Sequence, residues 1–310
     1  MYCQKAEELS MEEPIYSNKW KKGSAPIAVV MISLNEAHNM KAVLQNLQGF
    51  AQEVFLVDSY SADDTVGIAL SEGVNVVQRR FRNFGDQWNY ALEHLPIKAR
   101  WTMKIDPDER LSDELKENLT KILRETDAQG LIFDRRLWFM GRLLPVNQSL
   151  LRVWRTGSCR FTDIAVNEHP LVSGKTEFVK GLLEHHDSPD LEHWLDKQNH
   201  YTTAEAVISF EKTELAVKPR LFGNTLQRRM WLKKHFYKVP FRYSLLFIYH
   251  YIFQGAILAG WEGYVWARLR ADVMRLVEYK TKEMRIIGQL PVKRVTGIGN
   301  ADPRVKQCEW

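Results

Sequence analysis

The chain has 310 residues, of which 45% are apolar and 26% are charged, as is ordinary for a globular protein. This composition excludes a disordered chain, a collagen-like fibre and a coiled coil, and the absence of an internal repeat argues against a solenoid. The formal net charge of +5 is too small to indicate nucleic acid as a partner. Three widely separated cysteines and a polar N-terminus without an apolar segment favour a reduced, cytosolic setting.

Apolar runs of strand length alternate with segments of helical periodicity as far as residue 123. After a polar arm at residues 1–25, we predict strands at 27–34, 53–58, 74–78 and 101–105. Helices are predicted at 35–49, 61–70, 84–95 and 112–123, with Ser61 as the N-cap of the second. This alternation with short connections indicates a parallel sheet with right-handed crossovers.

The pattern changes after Gly130, where strands are predicted at 131–139, 149–155 and 177–183, followed by a helix at 190–212. From residue 218 onward the chain is predicted to be helical and is rich in aromatic residues. The sequence therefore predicts an α/β domain at 26–217, with a mostly parallel sheet flanked by helices, and a helical region at 218–310.

Polar side chains directly follow three of the predicted parallel strands. Asn35 and Glu36 follow the first strand, Asp58 ends the second, and Asp106 and Asp108 follow the fourth. Ligands of open parallel sheets bind outside the carboxyl ends of the strands. Two carboxylates one residue apart can share a hard divalent cation such as Mg²⁺ or Mn²⁺. A surface turn rich in Asp and Pro is the alternative interpretation.

Taken together, these motifs resemble family 2 of the nucleotide-sugar glycosyltransferases, which have the GT-A fold. The resemblance lies in Asn35-Glu36, in Asp-Ser-Tyr-Ser-Ala-Asp-Asp-Thr at 58–65, in the helix that contains Asp86 and Asn89, and in Asp-Pro-Asp-Glu at 106–109. It extends over most of the chain and is closest to the lipopolysaccharide-core glucosyltransferase branch. It implies an inverting transfer of a sugar from a nucleotide-diphosphate donor, with UDP as the expected nucleotide, to a hydroxyl of a glycolipid or lipopolysaccharide precursor.

The resemblance also implies roles for individual residues. Asp108 would ligate Mg²⁺ or Mn²⁺, and Asp106 would contact the ribose or the diphosphate. His185 would add a metal ligand; the adjacent His186 is the other candidate, and a structural histidine is the alternative. The residues expected to bind the nucleotide sugar are Asn35, Glu36, Asp58, Ser59, Asp86, Asn89, Asp106, Arg152 and Arg155.

Glu168 is the expected catalytic base, because an inverting displacement needs a base on the face of the sugar opposite the leaving group. Asp163 is the second candidate, and a loop carboxylate without a catalytic role is the alternative. Arg152 and Arg155 lie on one predicted strand. We expect both guanidinium groups on one face, where they could grip a diphosphate; a solvated strand face is the alternative.

Residues 215–261 contain no Asp or Glu, and basic and aromatic residues are interleaved within them. An amphipathic segment that lies on an anionic membrane fits this composition best, which predicts a peripheral protein on the cytosolic face. A spanning helix, a nucleic-acid surface and an ordinary basic helix are the alternatives. The residues expected to bind the membrane are Arg228, Arg229, Trp231, Lys233 and Lys234.

Other functions use similar features. A nucleotidyltransferase could use the same pair of aspartates, and a degenerate scaffold could bind membranes without catalysis, although its carboxylates would not need to be intact. A haloacid-dehalogenase phosphatase is disfavoured, because its aspartate pair follows the first strand of the sheet, whereas Asp106 and Asp108 follow the fourth.

Overall fold

The computed structural model describes residues 19–162, 169–211, 219–222 and 225–291. These residues group into two compact units. Unit 1 contains the described residues up to Arg135 together with Ser149–Glu184. Unit 2 contains Arg136–Gln148 and the described residues from His185 onward.

Strands and helices alternate through the first part of unit 1. The strands are β1 (Ala25–Ser33), β2 (Ala51–Asp58), β3 (Asn75–Gln78), β4 (Trp101–Lys104) and β5 (Glu109–Leu111). The helices are α1 (Ala37–Leu47), α2 (Thr65–Ser71), α3 (Phe84–His94) and α4 (Asp113–Glu125). Further along the chain come β6 (Gly130–Phe139), β7 (Arg142–Arg155), β8 (Cys159–Phe161), β9 (Pro170–Val172) and β10 (Thr176–His185).

Eight strands form one sheet in the order β3–β2–β1–β4–β7–β6–β10–β5, and β8 pairs with β9. β1 runs parallel to β2 and β4, and β2 runs parallel to β3, whereas β4 and β7 are antiparallel. The register places Ser33 beside Asp58 and Val30 beside Lys104. The carboxyl ends of β1, β2 and β4 therefore lie next to one another at one edge of the sheet.

β1 separates the two hydrophobic cores of unit 1. One core contains α1, α4 and the β1 residues Ile27, Val29 and Met31, and the other contains Trp88 of α3 and the β1 residues Ala28 and Val30. Successive side chains of a strand point to opposite faces, so a strand that is buried on both faces needs an apolar residue at every position. This explains the continuous apolar run in the sequence of β1.

Unit 2 is mainly helical, with α5 (Leu191–Phe210), α6 (Thr225–Phe236), α7 (Arg242–Ile248) and α8 (Gly260–Ile287). A π-helical turn at Tyr249–Phe253 and a 3₁₀ turn at Ala256–Ala259 join α7 to α8. The main core of the unit combines Phe139 and Leu144 of the β6–β7 hairpin with Trp194 of α5 and Trp266 of α8.

No single helix in the described part of the chain is long and apolar enough to cross a membrane. Two consecutive segments, Arg242–Phe253 and Ala256–Ile287, reach that length and composition only together, and they are bent by 68° at the break between them.

The predicted fold class is confirmed, and the differences from the prediction are local. α2 begins at Thr65 because the hydroxyl of Ser61 binds Asp58 instead of capping the helix. The sequence does not predict β5, β8 and β9, because strands of three residues are too short to show a period. Unit 2 includes α5, which packs on α8 through Ala206 and Val277, and the boundary expected at residue 218 stays a prediction.

Candidate functional site

The carboxylate of Asp58 is buried at the end of β2 and is surrounded by hydrogen-bond donors. It accepts from the hydroxyl of Ser33 (2.8 Å), from the backbone N–H of Ser61 (2.8 Å) and from the side-chain amide of Gln78 (3.1 Å). The hydroxyl of Ser61 donates a fourth bond of 2.5 Å. Four hydrogen bonds fill the acceptor capacity of a carboxylate, so Asp58 fixes the loop after β2 against the end of β1.

Asn35 joins the loops that follow β1 and β2. Its backbone N–H donates to the hydroxyl of Ser61 (2.8 Å), and its Oδ1 accepts from the backbone N–H of Ala62 (2.8 Å). Asn35 has a φ of 56° and Tyr60 a φ of 61°, in the left-handed region that side chains seldom allow. Such backbone strain concentrates at ligand-binding sites, where the surrounding structure enforces it. The two loops therefore form one rigid rim at this edge of the sheet.

The side chain of Asp106 lies between two cations just after β4. Its Oδ1 accepts from Nζ of Lys104 (3.1 Å), and its Oδ2 accepts from Nη2 of Arg152 (3.2 Å). Burial alone would raise the pKa of Asp106, but the charges of Lys104 and Arg152 outweigh it and hold the pKa well below its usual range. The ammonium group of Lys104 also lies 4.0 Å from the ring centre of Trp88. Asp106 is therefore ionised at neutral pH.

Glu109 is fully buried and ties the aspartate turn to two arginines. Its Oε1 accepts from Arg152 (2.6 Å) and from Arg135 (3.0 Å), and its Oε2 accepts from the backbone N–H of Asp106 (3.0 Å). Removing charges from water costs several kcal/mol per ion, and a buried ion pair is stable only when further hydrogen bonds complete it. Glu109 meets this condition and fixes the backbone at the start of the turn.

Asp108 is 6% exposed, and Arg110 lies among the carboxylates near it. The guanidinium of Arg110 donates to the backbone carbonyl of Asn39 in α1 (3.1 Å). Burial lowers the pKa of Arg110, while the charges of Asp108, Glu36 and Glu109 oppose this change. The carboxylate of Glu36 accepts from the amide of Asn39 (2.9 Å). Arg110 thus connects the acidic turn after β4 with the loop after β1.

The turn after β4 offers two carboxylates, Asp106 and Asp108, at the edge where three parallel strands end. Carboxylate oxygens are the ligands that Mg²⁺ and Mn²⁺ prefer, and the lowered pKa of Asp106 keeps its carboxyl group anionic. These carboxylates are therefore ligand types that suit a hard divalent cation.

Three further residues with a predicted nucleotide-binding role lie in unit 1, and each is engaged by its surroundings. Ser59 follows Asp58 directly and is 3% exposed. Asp86 accepts from Arg79 (2.6 Å). Both polar atoms of the Asn89 side chain bind the backbone of Phe161, at 2.8 and 3.1 Å, which fixes β8 against α3. Their roles toward a nucleotide stay predictions.

Arg152 and Arg155 do not share a face, so that expectation from the sequence is wrong. A spacing of three residues places two strand side chains on opposite faces. Arg155 donates to backbone carbonyls between α4 and β6, at 2.5 and 3.2 Å, and its guanidinium lies 4.0 Å from the ring centre of Trp101. Trp101 begins β4, so Arg155 lies at the end of that strand opposite to Asp106. Of the two arginines, Arg152 reaches the aspartate turn.

His185, the last residue of β10, and His186 belong to unit 2 and contact different groups. Nε2 of His185 lies 3.6 Å from a carboxylate oxygen of Asp187, which also pairs with Lys197 (2.8 Å). The ring of His186 stacks on Trp138, with 5.4 Å between the ring centres. Imidazole beside carboxylate is a pair of metal-ligand types, and the role of His185 as a metal ligand stays a prediction.

The predicted base Glu168 and the second candidate Asp163 lie outside the described residues.

Two of the residues predicted to bind a membrane have described side chains. Arg228 is exposed, and Trp231 stacks on His235 with 4.3 Å between the ring centres. The side chains outside the described part are those of Arg229, Lys233 and Lys234.

Sequence reasoning assigned no role to Lys104, Glu109, Arg110 and Arg135. A signal was present for Lys104, because a lysine that closes an apolar strand is unusual, and for Glu109, which extends the aspartate pair. Arg135 gave no such signal, because 26 residues separate it from the carboxylate that it binds.

The part of the chain that carries these strands and loops is similar to known proteins. The family described as "Glycosyl transferase family 2" matches residues 28–181. An uncharacterized glycosyltransferase of Rickettsia prowazekii is 24% identical over 197 residues, which cover 58% of this chain and 66% of that protein. The chain thus spans slightly less than two thirds of that relative's length.

Two further similarities extend beyond the N-terminal half. The lipopolysaccharide core biosynthesis glycosyltransferase LpsC of Rhizobium meliloti is 27% identical over 253 residues, which cover 77% of this chain and 86% of that protein. The crystal structure of S. aureus TarS 1-349 in complex with UDP-GlcNAc is 15% identical with a TM-score of 0.41, over 85% of this chain and 92% of that chain.

Proposed function

Because residues 28–181 match the model of glycosyltransferase family 2, we propose that the chain is a member that transfers a sugar, with inversion, from a nucleotide-diphosphate sugar to an acceptor hydroxyl. The observation that carries the proposal is the turn after β4, where Asp106 and Asp108 lie among fixed cations at the carboxyl edge of parallel strands. Ligands of open α/β sheets bind at this edge. UDP is the proposed nucleotide, in accordance with the family resemblance.

A divalent cation, Mg²⁺ or Mn²⁺, is the proposed cofactor, with Asp108 as a ligand and His185 as a further one. Such a cation supplies positive charge to the leaving diphosphate. Asp106, whose charge Lys104 and Arg152 already balance, is proposed to contact the ribose or the diphosphate.

The rim built by the loops after β1 and β2 is the proposed nucleoside site. Glu36 supplies a half-buried carboxylate to this rim, and Asn35 and Asp58 hold the backbone that would face the base and ribose. A rim whose hydrogen bonds are complete before the ligand arrives loses little conformational entropy on binding, which favours affinity.

Glu168 is the proposed base that takes the proton of the acceptor hydroxyl. Its support is chemical, since the base must come from a segment other than the one that holds the diphosphate. We expect Glu168→Gln to bind the donor as the wild type does and to lose sugar transfer by at least about a hundredfold. Substantial transfer by this variant would assign the base to another residue, with Asp163 as the next to be replaced.

The proposed acceptor is a hydroxyl of a glycolipid or lipopolysaccharide precursor. The Rhizobium meliloti relative supports this acceptor class, because it is named a lipopolysaccharide core biosynthesis glycosyltransferase. The cationic stretch that contains the exposed Arg228 supports a peripheral location at the inner face of an anionic cytoplasmic membrane.

Binding of UDP with Mn²⁺ to the full chain, measured by calorimetry and by thermal shift, tests the proposed function. We expect metal-dependent binding in the wild type and a loss of at least about tenfold in affinity for Asp108→Asn. Asp113→Asn is the matched control, since the Asp113 side chain is 93% exposed on α4.

A panel of other nucleoside diphosphates is run in parallel. If none of them binds with metal, the proposal is wrong. Formation of a nucleotide sugar from a nucleoside triphosphate and a sugar phosphate, with release of pyrophosphate, would instead identify a nucleotidyltransferase.

A further inference from the structure

The segment at residues 241–261, called the apolar tip below, exposes large apolar side chains and buries small ones. Phe253 is 77% exposed and Leu258 is 74% exposed, whereas Ala256 and Ala259 are 0% and 1% exposed. Folding in water favours the reverse arrangement, because burying a large apolar side chain stabilises a protein more than burying an alanine. The apolar tip therefore has the side-chain distribution of a surface that faces an apolar medium.

The exposed residues of the first half of the tip form one helical stripe. Residues three and four positions apart share a face of a helix. The opposite face of the same segment, with Phe247 and Tyr251, packs on the core of unit 2. A helix that is apolar all round is expected to have both faces covered. The exposed stripe consists of Phe241, Leu245, Ile248, Tyr249, Ile252 and Phe253.

The charges around the tip favour an anionic partner. The chain carries no Asp or Glu from residue 215 to residue 261, and Arg228 and Lys238, which precede the tip, are exposed. At the other end of the tip, Trp261 stacks on Tyr264, with 5.4 Å between the ring centres. An apolar stripe flanked by cations and by Trp and Tyr is typical of a segment in the interfacial layer of an anionic bilayer.

The tip is too short to cross a bilayer. Arg242–Phe253 spans about 18 Å at about 1.5 Å per residue, whereas the hydrocarbon core is about 30 Å thick. The chain bends at Gly255, whose φ of 79° is readily adopted by glycine, and the following segment makes an angle of 68° with the first. This geometry favours entry into one leaflet.

We propose that the apolar tip inserts into the interfacial layer of an anionic bilayer. The stripe of 241–253 and the turn that carries Ile257 and Leu258 contact the acyl chains, and the preceding cations contact the lipid phosphates. This inference rests on the membrane location in the proposed function and deepens it, because it assigns anchoring to apolar side chains in addition to the cations of α6.

Flotation of the full chain with vesicles tests the insertion. Vesicles of phosphatidylcholine alone and of phosphatidylcholine with phosphatidylglycerol are used at about 0.1 M and about 1 M NaCl, because salt screens exposed charges. We expect the wild type to bind the anionic vesicles and to stay partly bound at the higher salt concentration. The double variant Phe253→Asp/Leu258→Asp should partition into the anionic vesicles at least about tenfold less than the wild type at both salt concentrations.

Ile286→Asp is the matched control. Ile286 is 84% exposed, and it lies about 38 Å along α8 from Trp261 at about 1.5 Å per residue. We expect this variant to partition as the wild type does. Equal circular dichroism and urea denaturation of both variants and the wild type establish that the comparison concerns folded proteins.

Three results would overturn the insertion. The first is wild-type binding by the double variant, and the second is complete release of the wild type at the higher salt concentration, which would mean electrostatic contact alone. The third is a wild-type dimer in sedimentation without vesicles that the double variant abolishes, because a second copy would then cover the tip.

Binding of UDP with Mn²⁺ in the same samples separates this inference from the proposed function. The double variant is expected to bind the nucleotide as the wild type does. If the wild type binds no nucleoside diphosphate and still floats through its tip, the proposed function fails and the insertion stands.

Discussion

Replacing Glu109 by Gln should destabilise unit 1 strongly, although the change alters only one charge. The carboxylate is fully buried and accepts from Arg152 at 2.6 Å and from Arg135 at 3.0 Å. Removing one partner of a buried ion pair typically costs 3–5 kcal/mol, because the other charge is left without compensation. Since Arg152 keeps Asp106 at 3.2 Å, we expect a loss of about 3 kcal/mol, at the lower end of this range.

Urea denaturation followed by tryptophan fluorescence measures this loss as a lower midpoint. Glu117→Gln is the matched control, because Glu117 is an exposed residue of α4, and it should change stability by less than about 0.5 kcal/mol. In Glu109→Gln/Arg152→Met the Glu109–Arg152 ion pair is replaced as a whole while Arg135 remains, and this variant should recover part of the loss. A cost below about 1 kcal/mol for Glu109→Gln, or a larger cost for the double variant, would refute the argument.

Two other substitutions remove carboxylates that accept several hydrogen bonds from the protein. Asp58→Asn should cost about 2 kcal/mol in the free energy of unfolding, because an amide cannot accept the four hydrogen bonds that the carboxylate accepts; a urea midpoint equal to that of the wild type would contradict this. Burial raises the pKa of Glu278, but hydrogen bonds from Lys282, Tyr243 and Arg242 lower it to about 2. The contribution of the ionised Glu278 to the free energy of unfolding is therefore complete above its usual pKa of 4.5 and is lost as the pH falls toward 2. The free energy of unfolding of Glu278→Gln should be lower than that of the wild type by about 2 kcal/mol at pH 7. Urea titrations should show this difference shrinking below pH 4.5, and a difference that stays constant with pH would mean that it does not come from the ionised carboxylate.

The parallel part of the fold could be predicted because its signals are local. β1 is buried on both faces and therefore reads as an uninterrupted apolar run. α3 and α4 begin at side-chain caps, Asn83 and Ser112, each of which accepts a hydrogen bond from the first turn of its helix. Strands such as β5 have three residues and gain their pairing from distant segments, so no local pattern predicts them.

The acidic residues of the site could be predicted from the sequence, but the basic residues that bind them could not. The carboxyl edge of a parallel sheet follows from topology, and Asp58 and Asp106 could be placed there from their positions after strands. The groups that hold the turn come from far along the chain, since Arg152 lies 43 residues from Glu109. In unit 2 the periodicity indicated helices, but a segment that is apolar on both faces does not show which face packs.

The charges around the turn after β4 are balanced by protein side chains, and this has a consequence for binding. A balanced site attracts neither a free cation nor a free diphosphate by its net charge, whereas the two together add little net charge. Mn²⁺ should therefore raise the affinity for UDP, and UDP should raise the affinity for Mn²⁺ by the same factor, since coupling between ligands is reciprocal. Calorimetric titrations in both orders measure this factor, and a factor near one would contradict the charge-balance argument. The interacting acids and bases are Glu36, Asp106, Asp108 and Glu109 on one side and Lys104, Arg110, Arg135 and Arg152 on the other.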